Sequence, residues 1–179
     1  MSETTLDTKP ETKPDIRTDI RTNNSEDVDL AQYVTFAIGE ETYGVEVLKV
    51  QEIIGMTKIT SIPNSLIFMK GVINLRGTVV PVVDMRLKFN MDERAYDNTT
   101  VVLIVEVQKK LVGMIVDAVS DVASIPLESI QDTPHFTSRI ETEYIRGIGN
   151  MEDLLIIVLD VDMILTIEEL ERMEKDKAI

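Results

Sequence analysis

Few residues in this 179-residue chain could do covalent chemistry. Asp84 and Asp160 each follow an apolar run, and a carboxylate pair can divide acid and base roles. They occupy corresponding places in an internal repeat, so one cap or turn residue used twice is the simpler expectation. His135, the sole histidine, lies in the polar stretch 132–138, and no nucleophile-elbow pattern exists to partner it. Gly147-Ile148-Gly149 lacks the third glycine and following helix of a dinucleotide fingerprint. No P-loop or EF-hand loop occurs. With no cysteine, the chain cannot build a disulfide framework, a zinc–thiolate site or a thiol nucleophile. The expectation is a protein that is not an enzyme and carries no cofactor or metal. A small β-barrel enzyme or ligand-binding protein using Asp84 and Asp160 is the alternative.

Recognition chemistry is better represented. Arg76 sits in Asn74-Leu75-Arg76-Gly77 at the join of two apolar segments, and its counterpart in the repeat is Glu152, of opposite sign. A guanidinium suits bidentate carboxylate recognition at an interface. The spacing Val47, Val50, Glu52, Ile53 reads as a strand running into a helical turn, with an apolar side that is core or binding surface. The net charge of −14 argues against nucleic acid as a partner, because that binding draws on Lys and Arg contacts to phosphate.

Strands must position these residues. Residues 33–38 and 42–47 read as a hairpin across Gly39-Glu40. Residues 79–83 are a β-branched run whose Pro81 assigns it to an edge or a strand start. Residues 101–107 and 111–116 form a second hairpin, and 154–159 the last buried strand. The same order is written twice. Gly44 to Ile53 resembles Gly113 to Val122; Ile62-Pro63 answers Ile125-Pro126; Phe68-Met69-Lys70-Gly71 answers Tyr144-Ile145-Arg146-Gly147, read as a turn. Two related β units follow, each too small to fold well alone, with strands free to exchange between them. Residues 1–30 are polar, with four basic and eight acidic residues, and read as a disordered tail without a signal peptide. No apolar run is long enough for a membrane helix, so a cytoplasmic protein is expected. Thr166 and Glu169 have capping-box spacing and open a C-terminal helix over 166–179.

The motifs Tyr43-Gly44-Val45-Glu46-Val47, Lys49-Val50-Gln51-Glu52-Ile53, Lys70-Gly71-Val72-Ile73-Asn74-Leu75-Arg76-Gly77 and Val80-Pro81-Val82-Val83-Asp84 resemble the CheW-type chemotaxis coupling proteins. Val116-Asp117-Ala118-Val119-Ser120-Asp121-Val122 and Tyr144-Ile145-Arg146-Gly147 resemble that family's second half. The resemblance implies a mainly β domain over 31–165, made of two five-stranded SH3-like barrels on a shared hydrophobic interface. It implies an adaptor between transmembrane chemoreceptors and a histidine autokinase, without cofactor or direct membrane insertion, recruited to membrane-associated receptor arrays. The partners would be the receptor's cytoplasmic tip and the kinase's regulatory domain. By matching position the receptor-contact residues are Val50, Glu52, Arg76, Val101, Val119 and Val122. A same-fold adaptor serving a different array is a further alternative.

Overall fold

A computed structural model describes residues 29–132 and 142–177. His135 and all but the last two residues of the 1–30 tail lie outside the described residues. The β-branched runs form strands. β1 (Leu30–Ile38) and β2 (Glu41–Glu46) pair across Gly39-Glu40, where Gly39 supplies a φ of +63°. A 3₁₀ turn at Val47–Lys49 leads into β3 (Val50–Gly55). Then come β4 (Met69–Leu75), β5 (Thr78–Asp84) and the one-turn helix α1 (Met85–Lys88). The second half contributes β6 (Val101–Val107), β7 (Lys110–Val116), β8 (Ala118–Pro126) and β9 (Ile130–Gln131). It ends with β10 (Ile145–Met151), β11 (Leu154–Leu159), α2 (Val161–Ile164) and α3 (Ile167–Lys177).

Two sheets result, in the orders β3-β6-β7-β5-β4 and β8-β1-β2-β11-β10-β9. The repeat maps β3 onto β8, β6 onto β1, β7 onto β2, β5 onto β11 and β4 onto β10. That substitution converts the first order into the second. Each half therefore gives its opening hairpin to the other half's sheet. One sheet has six strands rather than five because β9 pairs with β10 at Ile148 and Gly149. In the five-stranded sheet the corresponding place holds a single bridge, Thr60 to Val72.

Three apolar clusters follow from period-two alternation. Val102 and Ile104 of β6 point into a cluster with Val80, Val82 and Ile73, inside the five-stranded sheet. Tyr33, Ile125, Ile156 and Val158 fill the inside of the six-stranded sheet. Leu103, Val105, Phe36, Tyr43, Val83, Met114 and Leu159 point the other way, into one large cluster shared by both sheets. Aromatic rings run through it in series, Phe36–Tyr43–Phe89–Tyr144, with centroids 6.0, 5.5 and 6.3 Å apart.

Three local expectations change. Val50 to Gly55 is strand, not a helical turn; the 3₁₀ turn precedes it, and pairing with β6 favours the extended form of these β-prone residues. β5 lies inside its sheet although it holds Pro81. Its parallel ladder to β7 begins only at Val82, so at Pro81 the strand is paired on one side, a local edge. The Lys70-Gly71 and Arg146-Gly147 pairs are not turns but bulges within β4 and β10. A Cβ at Gly71, whose φ is +148°, would lie 2.0 Å from the Thr60 carbonyl oxygen, and one at Gly147 would lie 2.7 Å from that of Gln131.

Helix α3 closes the structure. Thr166 Oγ1 accepts from the Glu169 amide at 3.1 Å while Glu169 accepts from the Thr166 amide at 2.9 Å, the reciprocal capping arrangement. Leu170 and Met173 are buried in the shared cluster. Lys88, its side chain 5% exposed, donates to both Glu169 oxygens at 3.0 and 3.1 Å. Its ammonium also lies 4.5 Å from the Phe68 ring and 5.2 Å from that of Tyr144.

The bulge glycine is the sharpest steric constraint. Gly71→Ala forces the Thr60 backbone aside and should cost at least about 2 kcal/mol in denaturant unfolding. Gly55→Ala, where a Cβ meets nothing within 4 Å, should stay within about 0.5 kcal/mol of the parent.

Candidate functional site

Arg76 and Gly77 are the two-residue loop between Leu75 and Thr78, with φ of +49° and +87°. Two left-handed residues match the twist of a hairpin, and the Asn74 side chain accepts from the Gly77 amide at 2.7 Å. The left-handed form is unfavourable for a residue with a Cβ. It aims the Arg76 guanidinium at Glu52, where Nη1 donates to Oε1 at 3.0 Å and Nη2 to Oε2 at 2.7 Å. The hydrogen bonds from Arg76 hold the Glu52 carboxyl below its usual range, against a smaller desolvation effect.

This pair has a topological consequence. Glu52 is on β3 and Arg76 ends β4, and these strands are the two opposite edges of the five-stranded sheet. A forked contact between them requires the sheet to curl until its edges approach. The repeat positions in the other sheet are Asp121 and Glu152, two acids, and among the described residues no ion pair joins them. Glu152 keeps the left-handed backbone, at φ +54°. The first left-handed turn residue is repeated, but the second, Gly77, has no left-handed counterpart at Asp153, and the edge-to-edge clamp is not repeated.

Around the clamp the apolar candidates divide. Val50 is on β3, and Val101 on the neighbouring β6 lies opposite Gly55. Val119 and Val122 are on β8, the edge of the other sheet, opposite Phe36 and Val34. Val50, Val101 and Val119 are half-buried and pack on the shared cluster. Val122 is 51% exposed and Ile53 on β3 is 44% exposed. Among the described residues, Glu52 and Arg76 are the candidates joined by hydrogen bonds; the valines lie along two edges above one core.

The chain matches the CheW-like domain family over residues 32–169. The chain belongs to the CheW-like family. It is 41% identical over 139 residues to the chemotaxis protein CheW of Klebsiella aerogenes, spanning 78% of this chain and 84% of that protein. With the probable chemotaxis protein CheW of Rhizobium etli it shares 34% over 140 residues, 78% of this chain and 90% of that one. The crystal structure of the scaffolding protein TtCheW from Thermoanaerobacter tengcongensis superposes with a TM-score of 0.72 at 32% identity, covering 79% of this chain and 91% of that chain. A non-enzymatic chemotaxis adaptor is therefore the class of this CheW-like chain. No helix among the described residues is long and apolar enough to cross a membrane.

The two repeated aspartates act as caps in this CheW-like domain. Asp84 accepts from the Arg86 amide at 2.9 Å and the Leu87 amide at 3.4 Å, and Asp160 from the Asp162 amide at 3.1 Å. Each caps its own helix at the end of its own sheet, and they line different cavities. They do not form the shared acid–base pocket that the enzyme alternative requires.

Residues that sequence reasoning left without a role make the strongest polar links. Asp117 joins β7 of one sheet to β8 of the other. Its carboxylate accepts Arg86 Nε at 2.9 Å and Nη2 at 2.6 Å, and the Gly39 amide at 2.8 Å, with both side chains 16% exposed. At the other crossing the acid is on the helix instead: Asp162 of α2 accepts Lys49 Nζ at 3.1 Å and the Gln108 amide at 2.8 Å. For Asp117, a lone charge between two apolar strands was the available signal.

Burial pushes the Asp117 carboxyl up, but the Arg86 and Gly39 hydrogen bonds and the charges of Arg86 and Arg94 outweigh it and hold it below the usual carboxylate range. Between the folded and unfolded values the unfolded chain binds the extra proton. The stabilisation is therefore complete above the unfolded value of about 3.9 and lost as pH falls through the lower folded one. Asp117→Asn should lower stability at neutral pH and flatten the loss of stability below about pH 4, as read from denaturant curves across that range.

Proposed function

We propose that this chain couples transmembrane chemoreceptors to the chemotaxis histidine kinase in signalling arrays. The receptor's cytoplasmic tip contacts the two strand edges through Val50, Glu52, Arg76, Val101, Val119 and Val122. The kinase's regulatory domain, of the same fold, takes a separate surface. In this reading each sheet is a small SH3-like barrel, the adaptor domain spans 31–165 with a tail before it and a helix after it, and receptors bring the cytoplasmic protein to the membrane.

The observation that carries the reading is the Glu52–Arg76 fork. It clamps one sheet's edges, leaves Arg76 73% exposed, and stands beside half-buried valines on β3 and β6. An exposed ion pair adds little stability, since solvent screens it. A guanidinium held in an unfavourable backbone conformation at the surface is better explained by what it presents. An apolar strip with a charged rim also suits a small reversible interface.

Arg76→Gly and Arg76→Ala separate presentation from folding. Glycine relaxes the left-handed turn, so Arg76→Gly should fold at least as stably as the parent. Both variants should weaken co-sedimentation with receptor tips and kinase. Unchanged co-sedimentation of both sinks the role of Arg76. Val50→Phe should reduce receptor binding more than kinase binding; equal losses point to misfolding.

A further inference from the structure

The repeat makes a binding site visible because, among the described residues, one of its two copies is unfilled. In the first copy Asp84 spends one carboxylate oxygen on capping α1 and uses the other, Oδ2, to accept the Tyr96 hydroxyl at 2.7 Å. Lys70 stands over that ring, 5.9 Å from its centre. The space left beside Asp84 and Tyr96 is about 10 Å³, about one water.

The second copy has the same frame. The Asp160 amide donates to the Tyr144 carbonyl at 2.9 Å, as the Asp84 amide donates to that of Phe68 at 2.8 Å. Asp160 Oδ1 caps α2. Arg146 occupies the position of Lys70. Among the described residues no group donates to Asp160 Oδ2 and no ring stands beneath Arg146. In their place is an open cleft of about 180 Å³ whose polar lining is Asp160, Arg146, Lys49, Glu46 and Asp162. That is room for more than water, yet less than the roughly 300 Å³ where drug-sized pockets begin.

The cause lies in the connections. After α1 the chain loops back through residues 89–100 and inserts Tyr96. After α2 it continues into α3, which packs on the shared cluster instead. The chain has no tyrosine to spare for the cleft. Tyr33, Tyr43 and Tyr144 are buried, and Tyr96 is engaged with Asp84.

We propose that the cleft at Asp160 and Arg146 is a docking subsite for a tyrosine side chain of a partner protein. The partner's phenol donates to Asp160 Oδ2 and Arg146 covers its ring, as Lys70 covers Tyr96. Arg146 is paired with Glu46 but 56% exposed, and an exposed pair of this kind is readily exchanged for a cation–π contact. The subsite needs neither the receptor nor the kinase assignment made above.

The test is amide chemical-shift titration of the full-length protein with N-acetyl-tyrosinamide and N-acetyl-phenylalaninamide. The tyrosine probe should shift residues 159–162 with a dissociation constant on the order of millimolar. The phenylalanine probe, lacking the hydroxyl, should bind about tenfold more weakly. Asp160→Asn retains a good capping residue and should give a similar loss with the tyrosine probe. Arg146→Ala, outside the cap, should weaken it about threefold. Equal binding of the two probes, unchanged affinity in both variants, or no shift at residues 159–162 overturns the proposal.

Discussion

Neither sheet contains a core of its own size, and the exchange of hairpins makes up the difference. β1 and β2 leave the first half to sit between β8 and β11; β6 and β7 leave the second half to sit between β3 and β5. Among the described residues the inner clusters hold only six and four buried apolar residues, whereas the shared one holds twenty-four. At roughly 1.5–3 kcal/mol per buried large side chain, most of the hydrophobic stabilisation lies where both halves meet. A half expressed alone would lose the shared cluster and two strands of its own sheet. The exchange therefore makes the chain one cooperative unit despite its duplicated pattern.

The exchange also fixes where the backbone must cross between sheets. It does so twice, at the 3₁₀ turn Val47–Lys49 and at Asp117. Each crossing carries a charge paired with a residue of the short helix that follows β5 or β11. The signs are swapped. The acid is on the crossing and the base on the helix for Asp117 and Arg86; the base is on the crossing and the acid on the helix for Lys49 and Asp162. In both cases the acid also accepts a tight-turn amide, from Gly39 or Gln108. Wrong pairing of crossing and helix would put two acids or two bases together. The inversion thus distinguishes the two halves of a symmetric fold at a point where hydrophobic packing alone would not.

The repeat, the hairpins and the caps were legible because each depends on local rules: alternation, turn residues and short spacings. Asp84 and Asp160 read correctly as one cap used twice for that reason. The Lys70-Gly71 bulge was misread as a turn because its cause, the Thr60 carbonyl against Gly71, comes from a neighbouring segment. The Glu52–Arg76 clamp was half legible. Both residues stood out, but their contact spans opposite sheet edges and depends on curvature that no local pattern encodes. Lys88 gave no signal at all. A lysine after an apolar run looks solvated until Glu169, 81 residues later, folds back over it with Phe68 and Tyr144 on either side.

What distinguishes the two halves is placed at points their common backbone leaves free. The left-handed turn residue is Arg76 in one half and Glu152 in the other, at φ of +49° and +54°. The carboxylate behind the helix cap takes Tyr96 in one half and faces an open cleft in the other. Duplication supplies a frame whose turns, bulges and caps are fixed by steric and hydrogen-bonding needs. Side chains projecting from that frame are under no such constraint. An adaptor must offer unlike surfaces to unlike partners, and a duplicated fold would offer the same surface twice unless those positions diverged. The divergence falls on charge and on one inserted ring, while the bulge glycines Gly71 and Gly147 and the cap residues Asp84 and Asp160 keep their types.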